Sequence, residues 1–311
     1  MRTAHDTARS PREHAAHIRV GPAGWSYPDW EGRVYPAHKP HGFHALAHLA
    51  RFFDCIEVNS SFYAMPRREH AARWVELVAD KPAFRFQVKL NREFTHVPET
   101  PDDLSAWEQR AHEFKTGIEP LVRAKKLSAV LVQFPVSFLH GKSEVRRLGR
   151  IHALFAELPL VLEVRHESWF TPPALATLRG LSYSLAYVDL PPAWNHPPAW
   201  HAPTGPLGYL RLHGRNTANW FRHEAERDDK YDYLYDRAEL AGLAEKARRI
   251  ASEHDEAIVI TNNHFAGQAV ANGIELLFLL TGAAVSAPAE LVDAYPHLAA
   301  FTRDDGQRRL F

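Results

Sequence analysis

Glu57 and Glu163 each sit inside a short apolar run, in Cys55–Asn59 and Val161–Arg165. Two carboxylates brought to one cavity can serve as general acid and general base, or as the flanking pair of a glycosidase-like site. Lys89, Arg165 and Arg211 occupy comparable places in other apolar runs. A planar guanidinium suits the clamping of a carboxylate or phosphate, so these three are expected to hold an anion, or else only to neutralise the glutamates. His213 is of a type that titrates near neutral pH and is expected to shuttle a proton. His96 and His166, just past other runs, could join it.

Further contacts to a small polar molecule are expected from Asn59, Gln133, Asp189, Asn262 and Asn263, and from the aromatic residues Trp25, Tyr63 and Trp169. Aromatic rings there could stack on a sugar or a base; most of the loop aromatics are expected to form a packed roof instead. His96, His166, His213, Glu57, Glu163 and Asp189 are also suitable metal-ligand types. No tight ligand spacing joins them, so no metal ligand is assigned. No cofactor is required by the sequence, and a divalent metal stands as an alternative. No phosphate-loop motif and no serine nucleophile elbow occurs.

Alternation decides where these groups point, since successive strand side chains face opposite sides. Ile56 and Val58 share one side, Glu57 and Asn59 the other. Phe84, Phe86 and Val88 oppose Arg85, Gln87 and Lys89. Val130 and Val132 oppose Gln133. Leu162 and Val164 oppose Glu163 and Arg165. Leu210 and Leu212 oppose Tyr209, Arg211 and His213. Asp189 is expected on the same side as Tyr187, and that side is read as inward. The eighth run ends in Asn262 and Asn263. An apolar side toward helices and a polar side inward, near the carboxyl ends, is the pattern of a barrel enzyme's site. The competing reading is an internal ion-pair network that only holds the strands together.

Eight strands are expected: Ile18–Val20, Cys55–Asn59, Phe84–Lys89, Ala129–Phe134, Val161–Arg165, Ser184–Asp189, Leu207–His213 and Ala257–Asn262. Helical periodicity falls between them, at His44–Phe53, Glu69–Ala79, Leu104–Lys126, Glu144–Glu157, Pro172–Arg179, Asp236–Glu253 and Ala266–Leu280. Strand–helix alternation implies parallel pairing, and eight units favour a TIM-like (β/α)8 barrel over an open sheet. Asp236 with Glu239 has the form of a capping box, and Gly282 that of a helix stop. After the sixth strand, Pro191, Pro192, Pro197, Pro198, Pro203 and Pro206 exclude a regular helix. That irregular connection is either a binding loop or a stiff cover.

The 311 residues are 45% hydrophobic and 24% charged, an ordinary globular balance. Lys plus Arg equals Asp plus Glu at 37 each, so no long-range attraction to polyanions such as nucleic acid is expected. The lone cysteine, Cys55, makes no internal disulfide and suits a reducing, cytoplasmic setting. Residues 1–17 are polar and are expected to form a disordered tail without a signal peptide. The rest, 18–311, is expected to be one barrel domain. No run is apolar for long enough to span a bilayer, and protein partners are left open.

Seven segments together resemble the domain-of-unknown-function 72 (DUF72) family, the YecE-like proteins. They are Gly24-Trp-Ser-Tyr-Pro-Asp-Trp-Glu-Gly32 with Tyr35-Pro36; Ile56-Glu-Val-Asn-Ser-Ser-Phe-Tyr63 with Pro66; Val88-Lys89 with Phe94-Thr-His96; Gln133-Phe-Pro135; Glu163-Val-Arg-His-Glu-Ser-Trp169; Arg211-Leu-His-Gly-Arg-Asn216; and Asn262-Asn-His-Phe265 with Gly267-Gln-Ala-Val270. The resemblance runs from about Val20 to Leu280. It implies a TIM-like barrel and no established activity. Pro22-Ala23 departs from the family's usual Thr-Ser, and Asp189-Leu190-Pro191 from a common Asp-Gln-Pro.

Three functions fit these residues. The first is an enzyme doing acid–base chemistry on a small polar, anionic or sugar-like molecule, with Glu163 and Glu57 as acid and base. The second is a metal-dependent hydrolase or isomerase. The third is a non-catalytic ligand-sensing or partner-binding barrel.

Overall fold

The computed structural model describes residues 18–98, 103–220, 222 and 227–303. The tail expected over residues 1–17 lies outside them. Strands run at Ile18–Pro22 (β1), Cys55–Val58 (β2), Arg85–Lys89 (β3), Leu127–Gln133 (β4), Leu160–Glu163 (β5), Ser184–Leu185 (β6), Tyr187–Asp189 (β7), Leu207–Leu212 (β8) and Glu256–Thr261 (β9). All strand pairings among them are parallel. This agrees with the alternation of strands and helices along the chain.

The hydrogen-bonded sheet is not one closed ring. It falls into a five-stranded sheet, β2-β3-β4-β5-β6, and a four-stranded sheet, β1-β9-β8-β7. The expected sixth strand is broken at Ala186, with β6 pairing to β5 and β7 to β8. At the other seam, β1 and β2 share a single parallel bridge, Ala23 to Glu57, closed by Gly24 N–H donating to the Glu57 carbonyl at 2.8 Å. Gly21 lets these strands approach: a Cβ there would lie 2.0 Å from the Cys55 carbonyl oxygen.

Two apolar layers follow from the period-2 pattern. The larger lies on the helix-facing side and includes Ile56, Val58, Phe86, Val88, Val130, Val132, Leu162, Leu210, Leu212 and Val259. The smaller gathers Ala23, Cys55, Ala129, Leu131, Val161, Ala186, Tyr209, Ile258 and Ile260 from both sheets. The two sheets therefore face one another across a narrow inner core. Helices Arg68–Leu77, Asp103–Arg123, Lys142–Phe155, Pro172–Gly180, Arg237–Glu253 and Gln268–Thr281 follow the strands. Asp236 and Glu239 form the expected capping box, and Gly282 ends the last of these helices with a left-handed φ of 68°.

One parity expectation is corrected. Tyr187 belongs to the outer layer and Ala186 to the inner one. Asp189, two residues beyond Tyr187, therefore shares the outward side.

Candidate functional site at the strand ends

Four charged side chains from three strand ends meet above the inner core. Glu57 (β2) and Arg211 (β8) are enclosed, as is Glu163 at the end of β5. Arg211 donates from Nε to Glu57 Oε2 at 3.0 Å and from Nη2 to Glu57 Oε1 at 2.7 Å. Its Nη1 donates to Glu163 Oε2 at 2.5 Å. Arg165, just past β5, covers the remaining oxygen: Nε and Nη2 each reach Glu163 Oε1 at 2.8 Å. Tyr209 donates its hydroxyl to Glu57 Oε2 at 2.8 Å. Buried charges are tolerated only when paired and hydrogen-bonded in this way.

The electrostatics follow from this pairing. Burial pushes the Glu163 carboxyl up, but Arg211 and Arg165 outweigh it and hold the group well below the usual carboxylate range. Burial opposes the charge on Arg211, yet Glu163 and Glu57 raise its pKa well above normal. His213 is wholly buried, with Asn262 Nδ2 3.0 Å from its Nδ1 and Glu163 Oε1 3.3 Å from its Nε2. Burial takes its imidazole down to about 3 despite that carboxylate. Titration near neutrality, expected from its residue type, is thus corrected: His213 stays neutral at physiological pH.

Lys89, the last residue of β3, has a different setting. Its Nζ lies 4.0 Å from the centroid of the Phe62 ring. Burial, then repulsion from Arg211, takes its amine down to about 7; Glu163 and Glu57 offset this only in part. The carboxylates and guanidiniums of the cluster already balance, so an ammonium at Lys89 is one positive charge in excess.

Lys89, Arg165 and Tyr231 line two adjoining cavities. The larger, of about 910 Å³, also takes Phe62, Arg92, His96, Gln133, Trp220 and Lys230. The smaller, of about 60 Å³, adds Tyr27, Asn59, Tyr63, Arg211, Asn262 and His264. Among the described residues, neither is lined by an aspartate or a glutamate. Burial lowers His96 to about 4, with Lys89 and Arg165 adding repulsion. The Asn59 Oδ1 atom is buried without a hydrogen-bond partner.

The proline-rich connection between β7 and β8 forms one wall of the larger cavity through Leu190, Pro192, Ala193, Trp194, Asn195 and His196. No helix forms there. The connection is tied down by Glu167 N–H to the Asn195 carbonyl at 2.8 Å, by the Tyr187 hydroxyl to the His201 carbonyl at 3.2 Å, and by Arg249 over the Trp200 ring at 3.6 Å.

The expected site residues separate accordingly. Lys89, Arg165, Arg211, Asn59, Tyr63, Gln133 and Asn262 line the two cavities. Glu57, Glu163 and His213 lie beneath them. Trp169 stacks on Phe138, donates Nε1–H to its carbonyl at 2.7 Å and is buried away from both cavities. Asp189 is gripped by Arg215, at 2.7 and 2.8 Å, and by the Tyr235 hydroxyl at 2.6 Å. Asn263 bonds the Tyr233 carbonyl and Asn272. Trp25 lines a third hollow, which shares Tyr27, Asn59 and Tyr63 with the smaller cavity. Arg92 and Lys230 are lining cations that reading the strands alone did not reach; Arg92 stands only three residues past Lys89. Among the described residues, no group of three His, Cys, Asp or Glu side chains is placed to hold a metal ion, and no helix is long and apolar enough to cross a membrane.

Fold and site together define a parallel α/β protein with a cation-lined cavity at its strand ends. The model of the family described as "Protein of unknown function DUF72" matches residues 19–292. The chain belongs to the DUF72 family. UPF0759 protein YunF of Bacillus subtilis is 27% identical over 272 residues, 85% of this chain and 94% of that one. UPF0759 protein YecE of Escherichia coli is 32% identical over 156 residues, about half of each chain. Among solved structures, a DUF72 family protein of Enterococcus faecalis V583 superposes with a TM-score of 0.74 at 29% identity, covering 87% of this chain and 98% of that one. A DUF72 family protein of Thermotoga maritima MSB8 gives 0.71 at 30% identity, covering 85% and 98%.

Proposed function

We propose that this protein is an enzyme that binds a small anionic molecule, a carboxylate or phosphate ester, at the carboxyl ends of its strands and acts on it by acid–base chemistry. The observation that carries this is the lining of the larger cavity, where Lys89, Arg92, Arg165 and Lys230 converge with no carboxylate among the described residues. A concave site with convergent polar groups of one sign selects ligands of the other. We read the two sheets as halves of one β/α barrel, which places the cavity where barrel enzymes carry their chemistry. In this reading Glu57 and Glu163 hold Arg211 in place, and Lys89, whose amine gives up a proton near neutral pH, is the reactive group that faces the bound anion.

A second reading, a ligand sensor without turnover, is favoured by the sealing of both glutamates against arginines. One experiment separates the two. Thermal unfolding is followed for the wild type and Arg165→Ala against phosphorylated sugars, nucleotides, organic acids and divalent metals, and each stabilising compound is then incubated with protein and assayed for product. A ligand at about a hundredfold excess over its Kd stabilises by about 2.7 kcal/mol. Stabilisation by an anion, lost in Arg165→Ala, supports the site. Product formation supports the enzyme, and saturable binding without product supports the sensor. No stabilisation by any anion overturns both.

A further inference from the structure

We propose that Lys89 is a nucleophile that forms an imine with the carbonyl carbon of an anionic oxo compound, such as a 2-oxo acid or a sugar phosphate. This rests on the reading that the cavity takes an anion, and it narrows the substrate to one carrying an aldehyde or ketone.

Position comes first. Lys89 ends β3 on the inward side and opens on both cavities. Among the described residues no carboxylate oxygen lies within 4.0 Å of its amine. The nearby acids are occupied: Glu57 by Arg211 and Tyr209, Glu163 by Arg211 and Arg165. A lysine that only neutralised charge would sit on one of these oxygens. Lys89 instead lies against the face of Phe62, with its lone pair free to attack whatever enters. Desolvation and neighbouring cations are the means by which a lysine becomes nucleophilic. The thiol of Cys55, on β2, lies in the inner core, is pushed up by burial and does not reach the cavities.

Recognition follows from the same lining. Arg165 and Arg92 are placed to hold a carboxylate or phosphate beside the amine. The unpartnered Asn59 Oδ1, in the smaller cavity with Lys89, accepts a hydrogen bond from a substrate hydroxyl.

The step balances without a redox partner. The neutral amine attacks the carbonyl carbon, a C–N bond forms, and the carbonyl π pair moves to oxygen. A proton passes from nitrogen to that oxygen, giving a carbinolamine. The C–O bond then breaks with a second proton from solvent in the cavity, water leaves, and a protonated imine remains. Its positive charge takes the place of the ammonium and withdraws electrons from the adjacent carbon, which assists proton removal or C–C cleavage there.

The test is reductive trapping. Protein is incubated at neutral pH with glyoxylate, pyruvate or dihydroxyacetone phosphate and sodium cyanoborohydride, then mapped by peptide mass spectrometry. The expected result is one dominant adduct, on Lys89, lost in Lys89→Met and Lys89→Arg, weakened in Arg165→Ala and suppressed by excess inorganic phosphate. Thermal unfolding of both Lys89 variants establishes that they are folded, and the wild-type phosphate protection does not depend on any variant. Adducts spread over many lysines, unchanged in the variants, would overturn the proposal. So would the absence of any adduct while anions still stabilise the protein, which leaves the anion site standing. No adduct together with no anion stabilisation takes both readings down.

Discussion

Arg211 meets Glu57 through two parallel hydrogen bonds, 3.0 Å from Nε to Oε2 and 2.7 Å from Nη2 to Oε1, with neither side chain open to solvent. Truncating one partner of such a pair strands a buried charge. Arg211→Ala is expected to cost about 3–5 kcal/mol of stability. Arg211→Lys, which keeps the charge but loses the fork, should also destabilise. Urea unfolding at neutral pH measures both, and an Arg211→Ala midpoint equal to wild type would refute the pairing.

Lys89 gives a pH signature. Its amine titrates at about 7 in the folded chain against an ordinary 10.5. Burial and the guanidiniums of Arg211 and Arg165 disfavour the ammonium, Glu163 and Glu57 favour it, and His96 nearby is neutral above about 4. Below pH 7 both folded and unfolded chains are protonated, and the full penalty is present. From about 7 to 10.5 the unfolded chain binds the extra proton, so wild-type stability rises with pH. Lys89→Met lacks this titration. Its stability advantage over wild type is expected to be largest at about pH 6 and to shrink by about pH 9, as read by denaturant unfolding; a pH-independent difference contradicts it.

Gly21 marks the seam between the two sheets. A methyl group there would collide with the Cys55 carbonyl. Gly21→Ala is expected to force β1 and β2 apart and to destabilise by about 1–3 kcal/mol. The same substitution at Gly242, whose Cβ would meet nothing within 4 Å, should stabilise its helix slightly. Parallel thermal melts of the two variants make the comparison.

Asp236 caps helix Arg237–Glu253, and its side chain accepts from Glu239 N–H at 2.8 Å. Asp236→Ala should cost about 1 kcal/mol, while Asp236→Ser or Asn should restore most of it. Loss of stability equal in all three would point away from capping.

The strand positions and the side each residue faces were legible because a period of two is a local property. Glu57, Lys89, Glu163, Arg211 and His213 all lie on the side that alternation assigns them. The reading failed at Asp189, where the sixth strand breaks at Ala186 and Tyr187, although aromatic and polar-tipped, packs outward. It also failed to separate Asn262 from Asn263; parity alone puts the first inward with Ile260. Trp169 looked like a loop aromatic, yet its indole N–H has a backbone partner that only the folded chain supplies. Most important, no local pattern shows that arginines occupy the glutamates while Lys89 has no carboxylate partner among the described residues. That outcome depends on side chains brought together from β2, β3, β5 and β8.

The proline-rich connection has a thermodynamic consequence. Proline fixes φ and narrows the ensemble of the unfolded chain, and this segment is held by the Asn195, His201 and Trp200 contacts. Trp194, 84% exposed, stands at its outer edge and walls the cavity together with its neighbours. The conformational entropy of that wall is therefore lost when the chain folds, not when a ligand arrives. A molecule entering the cavity meets a pre-organised surface, and its fit depends on charge and shape instead of on loop closure.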